Sequence, residues 1–339
     1  MDETRNLELL NSSAVLAEVS RELVVATGAD RVRFLQGIIT ADVAGTPVGS
    51  GCHATLLTTK AHVVAEMWAF PRAQDLYLAV PRGEAANTAR ALSHYAIMDD
   101  FAAAPHPDFV FVALLGPSAA PRLAAAGYSP QEIEGRPLWS HADVSGPAGV
   151  LWLARVRQLG AAGFWVGGPA AAVRILTDAL KTLHVPRLAP EAAEAARVLA
   201  GEPAWGREIT GEYFPMEVGL ADAIDYGKGC FLGQEPIVRI RDRGHTNWRL
   251  VRLELAVERG GAGDDDDAYV PVAGDRLETD SKPKAGRLTS IARLPDGRWV
   301  GLAMAHVSLT AGQQVRIHPE QEQAKAKNGP SSALAIMLP

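Results

Sequence analysis

Apolar positions in the first half of the chain change period from two to about 3.6 and back, which predicts alternating strands and helices. Glu22–Ala26 (ELVVA) is a short apolar run bounded by Thr27-Gly28 and reads as a strand. Val32, Leu35 and Ile39 recur at three- and four-residue spacing, the mark of one helical face. Thr55–Phe70 and Asp75–Val80 are rich in β-branched and aromatic residues, and Lys60-Ala-His marks a hairpin turn within the first of them. Gly83–Tyr95 places Ala85, Ala89, Leu92 and Tyr95 on a helical face, and Phe109–Leu115 reads as a buried strand. Three later helices begin near Pro117, Pro169 and Pro190, where a first-turn proline is tolerated because its missing N–H would be unpaired anyway. Gly127 and Gly201 close two of them. After Gly244 the pattern shifts: Arg249–Leu255, Trp299–Val307 and Gln314–Ile317 are short strands with glycine-rich connections. The expected division is therefore residues 1–244 and a small all-β domain, 245–339. The polar stretch after Pro319 ends in Leu-Ala-Ile-Met-Leu-Pro, which leaves two fates open, a mobile tail or a docked one.

Composition narrows the function classes. A chain of 339 residues with 47% hydrophobic and 21% charged residues is ordinary for a soluble globular protein. A net charge of −6 argues against direct nucleic-acid binding. The N-terminus is no secretory n-region and no segment approaches a membrane span, so the expectation is a cytoplasmic protein without membrane contact. Cys52 and Cys230 are the only cysteines and form no disulfide framework.

Several motifs fail on context. Gly49-Ser-Gly51-Cys-His-Ala54 fits the dinucleotide fingerprint, but the residues after it read as strands where that motif must open a helix. Cys52 and His53 are adjacent on a predicted strand and so face opposite ways, which argues against a catalytic pair. Nine histidines lack ligand spacing, so no metal site is expected. Asp264–Asp267 lacks the alternate spacing and glycine of a calcium loop and reads as a solvated connection.

One stretch carries chemistry. In Tyr226–Gly244 a cysteine stands among Gly227, Gly229 and Gly233, two residues after a lysine. If Lys228–Cys230 is extended, both side chains project to the same side, and a cation near a thiol favours the reactive thiolate. The glycines allow close approach to a ligand. Arg239, Arg241 and Arg243 share a face if that run is a strand, and arginine forks suit carboxylates. The residues by themselves leave a second reading open: a structural cysteine in a glycine-rich turn beside solvated arginines.

The string K-G-C-F-L-G-Q-E-x-x-x-R, Lys228 to Arg239, resembles the signature of the YgfZ-type folate-binding proteins, relatives of the glycine cleavage system T-protein, an aminomethyltransferase. Similar segments run through the chain: Val24–Val43, Ala196–Gly206 with its Arg-Val-Leu-Ala-Gly core, Pro215–Leu220 (P-M-E-V-G-L), Gly286–Ser290 and Gly301–His306. The resemblance implies an α+β fold, a ring of three domains around a central folate channel, the last a small β-barrel. Residues 1–244 would form two intertwined α+β subdomains. It implies a reduced folate, tetrahydrofolate, as cofactor, with Arg197 on its glutamate tail and Trp205 at the aromatic position. His53 falls where T-proteins have a folate-contacting tyrosine and Glu66 where they have an aspartate near the reacting nitrogen. Arg239 joins this cofactor-binding set, with Cys230 as the reactive group and Lys228 tuning it.

Departures bear on activity. Glu66 displaces the carboxylate by one methylene, and Gly160-Ala-Ala-Gly-Phe-Trp165 lacks both glutamates of the corresponding T-protein segment. Aminomethyl transfer is therefore expected to be absent or very slow. The resemblance implies instead an accessory protein that supports assembly or repair of iron–sulfur client proteins, including tRNA-modifying enzymes. The alternatives are a tetrahydrofolate-dependent aminomethyltransferase or demethylase acting on a small amine, with Glu66 in the aspartate's role, and a non-catalytic folate-binding scaffold.

Overall fold

The structure is a computed structural model that describes residues 3–256, 269–320 and 332–338. The acidic run Asp264–Asp267 lies outside the described residues. The chain divides into two units: Met1–Ala189 with Ala221–Arg243, and Pro190–Leu220 with Gly244–Pro339. The change of unit at residue 244 falls where the sequence pattern shifts, but Pro190–Leu220 groups with the barrel rather than with the first 244 residues.

In chain order the first unit holds α1 (Glu3–Ser12), β1 (Val15–Glu18), β2 (Arg21–Thr27), α2 (Arg31–Ile38), β3 (Cys52–Leu57), β4 (Val63–Pro71) and β5 (Leu76–Pro81). It continues through α3 (Ala85–Tyr95), β6 (Ala102–Pro105), β7 (Phe109–Leu115), α4 (Ala119–Ala125), β8 (His141–Gly146), β9 (Gly149–Gln158), β10 (Ala161–Pro169) and α5 (Ala170–Thr182). Two antiparallel sheets result, ordered β1-β7-β10-β9-β8 and β3-β4-β5-β2-β6. Helix α3 buries Ala85, Thr88, Ala89 and Leu92, the i, i+3, i+4, i+7 stripe of a helix laid on a sheet. Helix α5 buries Ala172, Val173, Leu176 and Leu180, again one face of the helix.

An aromatic seam joins these two sheets. Phe70 on β4 meets Trp152 on β9 edge to face at 4.9 Å. The Trp152 indole N–H donates to His141 Nδ1 at 3.1 Å, and His141 Nε2 donates to the Pro71 carbonyl at 3.2 Å. Both ring nitrogens are thereby fixed in the neutral tautomer, and burial pushes the His141 pKa down to about 4. Arg72 adds a fork onto both Asp143 oxygens at 2.9 Å each.

The second unit holds α6 (Pro190–Ala200), the chain returns to the first unit with α7 (Gln234–Arg243), and the barrel strands follow. These are β11 (Trp248–Ala256), β12 (Arg276–Thr279), β13 (Lys282–Arg293), β14 (Trp299–His306), β15 (Gln314–His318) and β16 (Ala333–Met337), closed in the order β11-β14-β13-β12-β15-β16. The apolar C-terminal residues are docked, because β16 completes the barrel between β11 and β15. Ala333, Ala335 and Met337 point into it while Leu334 and Ile336 stay exposed, the period of two that a one-sided strand requires.

The expected strand over Arg239–Arg243 is corrected: those residues lie on α7. Gln234, Glu235 and the arginines are good helix formers, and Pro236 falls in the first turn where its missing N–H costs no bond. Ile237 is the residue this helix buries. The alternate spacing of the arginines therefore does not bring all three to one face.

Candidate functional site

The β3–β4 hairpin builds the floor of the site. His53 stands opposite Trp68 and Thr55 opposite Glu66 in the antiparallel register. Residues opposite one another share a face, as do residues two apart, so His53, Glu66 and Trp68 project to the same side. The His53 ring lies flat on Trp68, with centroids 4.1 Å apart and planes 7° from parallel. Trp68 in turn stacks on Trp139, at 3.3 Å and 22°. Trp139 comes from the loop before β8 and sits at a φ of 70°, a left-handed conformation that a bulky residue rarely adopts. Such outliers concentrate at ligand sites, where the surrounding structure holds them.

Glu66 lies beneath the stack, its side chain 2% exposed. Arg21 clamps both of its oxygens, Nη1 on Oε2 and Nη2 on Oε1. His53 Nε2 lies 2.6 Å from Oε1. Burial alone would raise the Glu66 pKa, but the Arg21 charge and the His53 bond outweigh it and bring it to about 2. His53 is pulled the other way. Burial opposes its charge, yet Asp222 and Glu66 together raise its pKa above the ordinary imidazole value. Its second nitrogen, Nδ1, faces Asp222 Oδ1 at 3.8 Å, so the ring lies between two carboxylates that favour its charged form.

These rings form a wall of a cavity of about 530 Å³. Carboxylates of Asp42, Asp222 and Asp225 line it, and so does Cys52. His53 and Cys52 thus meet the same cavity although they are adjacent on a strand. Burial raises the Cys52 thiol pKa, with Lys228 acting against that rise.

Lys228 does not behave as the sequence suggested. Its side chain is buried, and Nζ donates to the carbonyls of Ile39 at 2.6 Å and Ala41 at 2.7 Å. Cys230 is exposed. The backbone bends over residues 226–228 instead of forming a strand, and the buried ammonium and the exposed thiol lie in different surroundings. Burial lowers the Lys228 pKa to about 8, and the charges that act on it are those of Asp42, Cys52 and Asp225. Asp225 accepts from the backbone N–H groups of Gly227 and Lys228, at 2.7 and 3.1 Å, and so shapes the turn. Gly233, at a φ of +79°, passes the β3–β4 turn so closely that a Cβ would lie 2.4 Å from the Thr58 carbonyl oxygen. At this position glycine serves chain packing rather than ligand approach.

The other expected residues lie elsewhere. Arg239 is exposed on α7 and pairs with Glu235 at 3.2 Å. Arg197 belongs to the second unit, where all five of its N–H donors have partners. They reach Glu194 twice, the Glu202 carbonyl, Glu208 and the Ser290 hydroxyl. Glu208 is fully buried and also accepts from Ser290 at 2.6 Å and from the Ala204 N–H at 2.9 Å. A ligand carboxylate held by Arg197 has to displace one of these groups, and Glu194 is the more exposed acid, 27% against 0%. Trp205 is half-buried in the same unit, in a loop bridged to Ile209. Sequence reasoning passed over Trp68, Trp139, Asp222 and Arg21. The hairpin register could have exposed Trp68, which pairs with His53; the other three come from distant segments.

A family profile described as the GCVT N-terminal domain matches residues 4–228. The chain belongs to that family. Among curated relatives, the tRNA-modifying protein YgfZ of Yersinia enterocolitica is 24% identical over 318 residues, covering 88% of this chain and 86% of that protein. The same-named protein of Serratia proteamaculans is 26% identical over 306 residues with the same coverage. A mitochondrial homolog of the iron-sulfur cluster assembly factor IBA57 from Neurospora crassa is 26% identical over 297 residues, which is 82% of this chain and 61% of the fungal protein. The glycine cleavage system aminomethyltransferase T of Bartonella henselae shares the fold, with a TM-score of 0.82 and 21% identity over 98% of this chain and 88% of that one. The expected membership in the YgfZ-type, T-protein-related group and the barrel-bearing mixed fold are thus borne out. Among the described residues no cluster of three His, Cys, Asp or Glu side chains is placed to hold a metal ion, and no helix is long and apolar enough to cross a membrane.

Proposed function

We propose that this protein binds a reduced folate in the cavity of its first unit and supports assembly or repair of iron–sulfur enzymes, including ones that modify tRNA. The observation that carries the reading is the wall of stacked rings, His53 on Trp68 on Trp139, in a cavity lined by carboxylates. A pterin is flat and bears N–H donors along one edge, so it suits an aromatic wall beside acidic acceptors. Among the described residues that line it there is no arginine or lysine, so the reading assigns the cavity to the ring and not to the anionic tail. When bound, a reduced folate supplies a carrier for one-carbon units. The iron–sulfur part rests on the similarity to the IBA57 homolog, named as an iron-sulfur cluster assembly factor, and the tRNA part on the similarity to the tRNA-modifying YgfZ proteins. Cys230, exposed near the start of the signature, is the reactive group in this proposal.

Aminomethyl transfer fits the geometry less well. Glu66 is buried, carries its charge to about pH 2 and has both oxygens engaged, so it is a poor proton acceptor at neutral pH.

Titration of the full chain with tetrahydrofolate, followed by calorimetry and tryptophan fluorescence, tests the ligand. Saturable binding is expected, weakened by Trp68→Leu, because that change removes the middle ring of the stack and with it the support of His53 and Trp139 in the cavity wall. No saturable heat would refute the folate assignment. A bacterial strain lacking its own YgfZ-type protein tests the client role. The wild-type chain should restore iron–sulfur enzyme activity under oxidative stress and Cys230→Ala should not.

A further inference from the structure

The barrel seam is incomplete at one corner. β11 pairs with β14 along Trp248–Leu255, but β16 pairs with β11 only over Leu253–Ala256. One further link, the Leu338 N–H on the Arg252 carbonyl at 2.9 Å, extends that side. Among the described residues, Arg249–Val251 therefore have a paired strand on one side alone. A cavity of about 470 Å³ opens at this gap, and all of its lining residues belong to the second unit. That volume falls within the roughly 300–1,000 Å³ of small-molecule sites. Gly201 and Gly219 supply another part of the wall at φ of +70° and +82°, where glycine is the favoured residue, so no side chain fills the space from there.

The charge around this gap has one sign. Arg249 and Arg252 line it, and among the described lining residues there is no carboxylate. Backbone carbonyls aim both guanidinium groups: Arg249 Nη2 donates to Leu309, and Arg252 Nη1 donates to Leu199 at 3.0 Å. The Leu309 carbonyl is the one acceptor that the exposed Arg249 side chain has among the described residues, so its other donors remain available. Half-buried Leu250 and Leu338 add apolar surface beside these cations. We propose that this gap in the barrel is a second binding site, one that takes a small organic carboxylate with an apolar body. The Arg249 fork receives the carboxylate, a planar match that an ammonium does not offer. A concave site lined by charge of one sign also concentrates the oppositely charged ligand. The apolar body lies on Leu250 and Leu338, where its burial adds affinity. This site is distinct from the cavity of the folate reading, which lies in the first unit.

Titration of the full chain with hexanoate, hexylamine and acetate, followed by amide NMR, tests the site. Hexanoate should shift the amides of Arg249–Arg252, Thr310 and Leu338 saturably, and hexylamine should leave them unmoved. Acetate should bind at least about 10-fold more weakly than hexanoate, since each buried methylene is worth about fourfold in affinity. Arg249→Gln should weaken hexanoate about 10-fold, the low end for a charge-assisted hydrogen bond at an exposed cation. Arg298→Gln removes an exposed barrel arginine outside the lining and should leave the affinity unchanged. Hexanoate that produces no saturable shift at these residues, hexylamine that binds as well as hexanoate, or equal hexanoate affinity in Arg249→Gln and Arg298→Gln would each overturn the proposal.

Discussion

Replacing Glu66 by Gln removes a buried charge while keeping size and hydrogen-bonding capacity. The side chain is 2% exposed and held by Arg21 and His53, so its carboxylate form is favoured in the folded state. The pKa falls from 4.5 to about 2, and each unit corresponds to about 1.4 kcal/mol, so the shift is worth about 3 kcal/mol at neutral pH. The pKa is depressed on folding, so this stability is fully present above about 4.5 and is lost as pH falls toward 2. By pH 3 less than half of it remains. Urea unfolding of wild type and Glu66→Gln, followed by tryptophan fluorescence from acid to neutral pH, measures the difference. It should be about 3 kcal/mol at neutral pH and shrink steadily below pH 4.5. The His53 titration, followed by NMR of the ring protons, should move to lower pH in the variant, because one of the two carboxylates raising it has gone. A stability difference that does not change with pH, or an unmoved His53, would show that Glu66 is not the charged hub described here.

Two further outcomes follow from the geometry. Arg197→Met strands the buried Glu208 and should destabilise the protein by about 3–5 kcal/mol, with part recovered by adding Glu208→Gln; an unchanged unfolding midpoint would contradict that, and tetrahydrofolate affinity measured on the folded variant tests the tail-anchor role separately. Lys228→Met takes a donor from the Ile39 carbonyl and one of two donors from the Ala41 carbonyl and should cost about 1–3 kcal/mol, while iodoacetamide labelling followed by mass spectrometry should show Cys230 still reacting ahead of Cys52 at a rate within twofold of wild type. A large slowing of Cys230 in a folded Lys228→Met would restore the lysine to the thiol-tuning role that its sequence position suggested.

Local pattern carried far in this chain. The β3–β4 hairpin around Lys60-Ala-His, the α3 stripe, the proline-marked helix starts and the barrel strands β11, β14 and β15 were legible, because each is set by residues a few positions apart. The rejection of a dinucleotide site at Gly49–Ala54 also held, since Cys52 opens a strand. Family membership was legible from Lys228–Arg239 and its companion segments. The β8–β9–β10 strands escaped notice because small residues, such as Gly167 and Gly168 on β10, dilute the apolar alternation. Arg239–Arg243 misled because alternate spacing imitates a strand where helix formers and a first-turn proline make α7. Only the tertiary structure decided where charge goes. Lys228 is two residues from Cys230 in sequence, yet its ammonium lies on carbonyls about 190 residues upstream, because a buried cation must find acceptors and the Ile39 and Ala41 carbonyls supply them. The same holds for the site as a whole: the sequence determined that His53, Glu66 and Trp68 share a strand face, and folding alone brought Arg21, Trp139 and Asp222 to them.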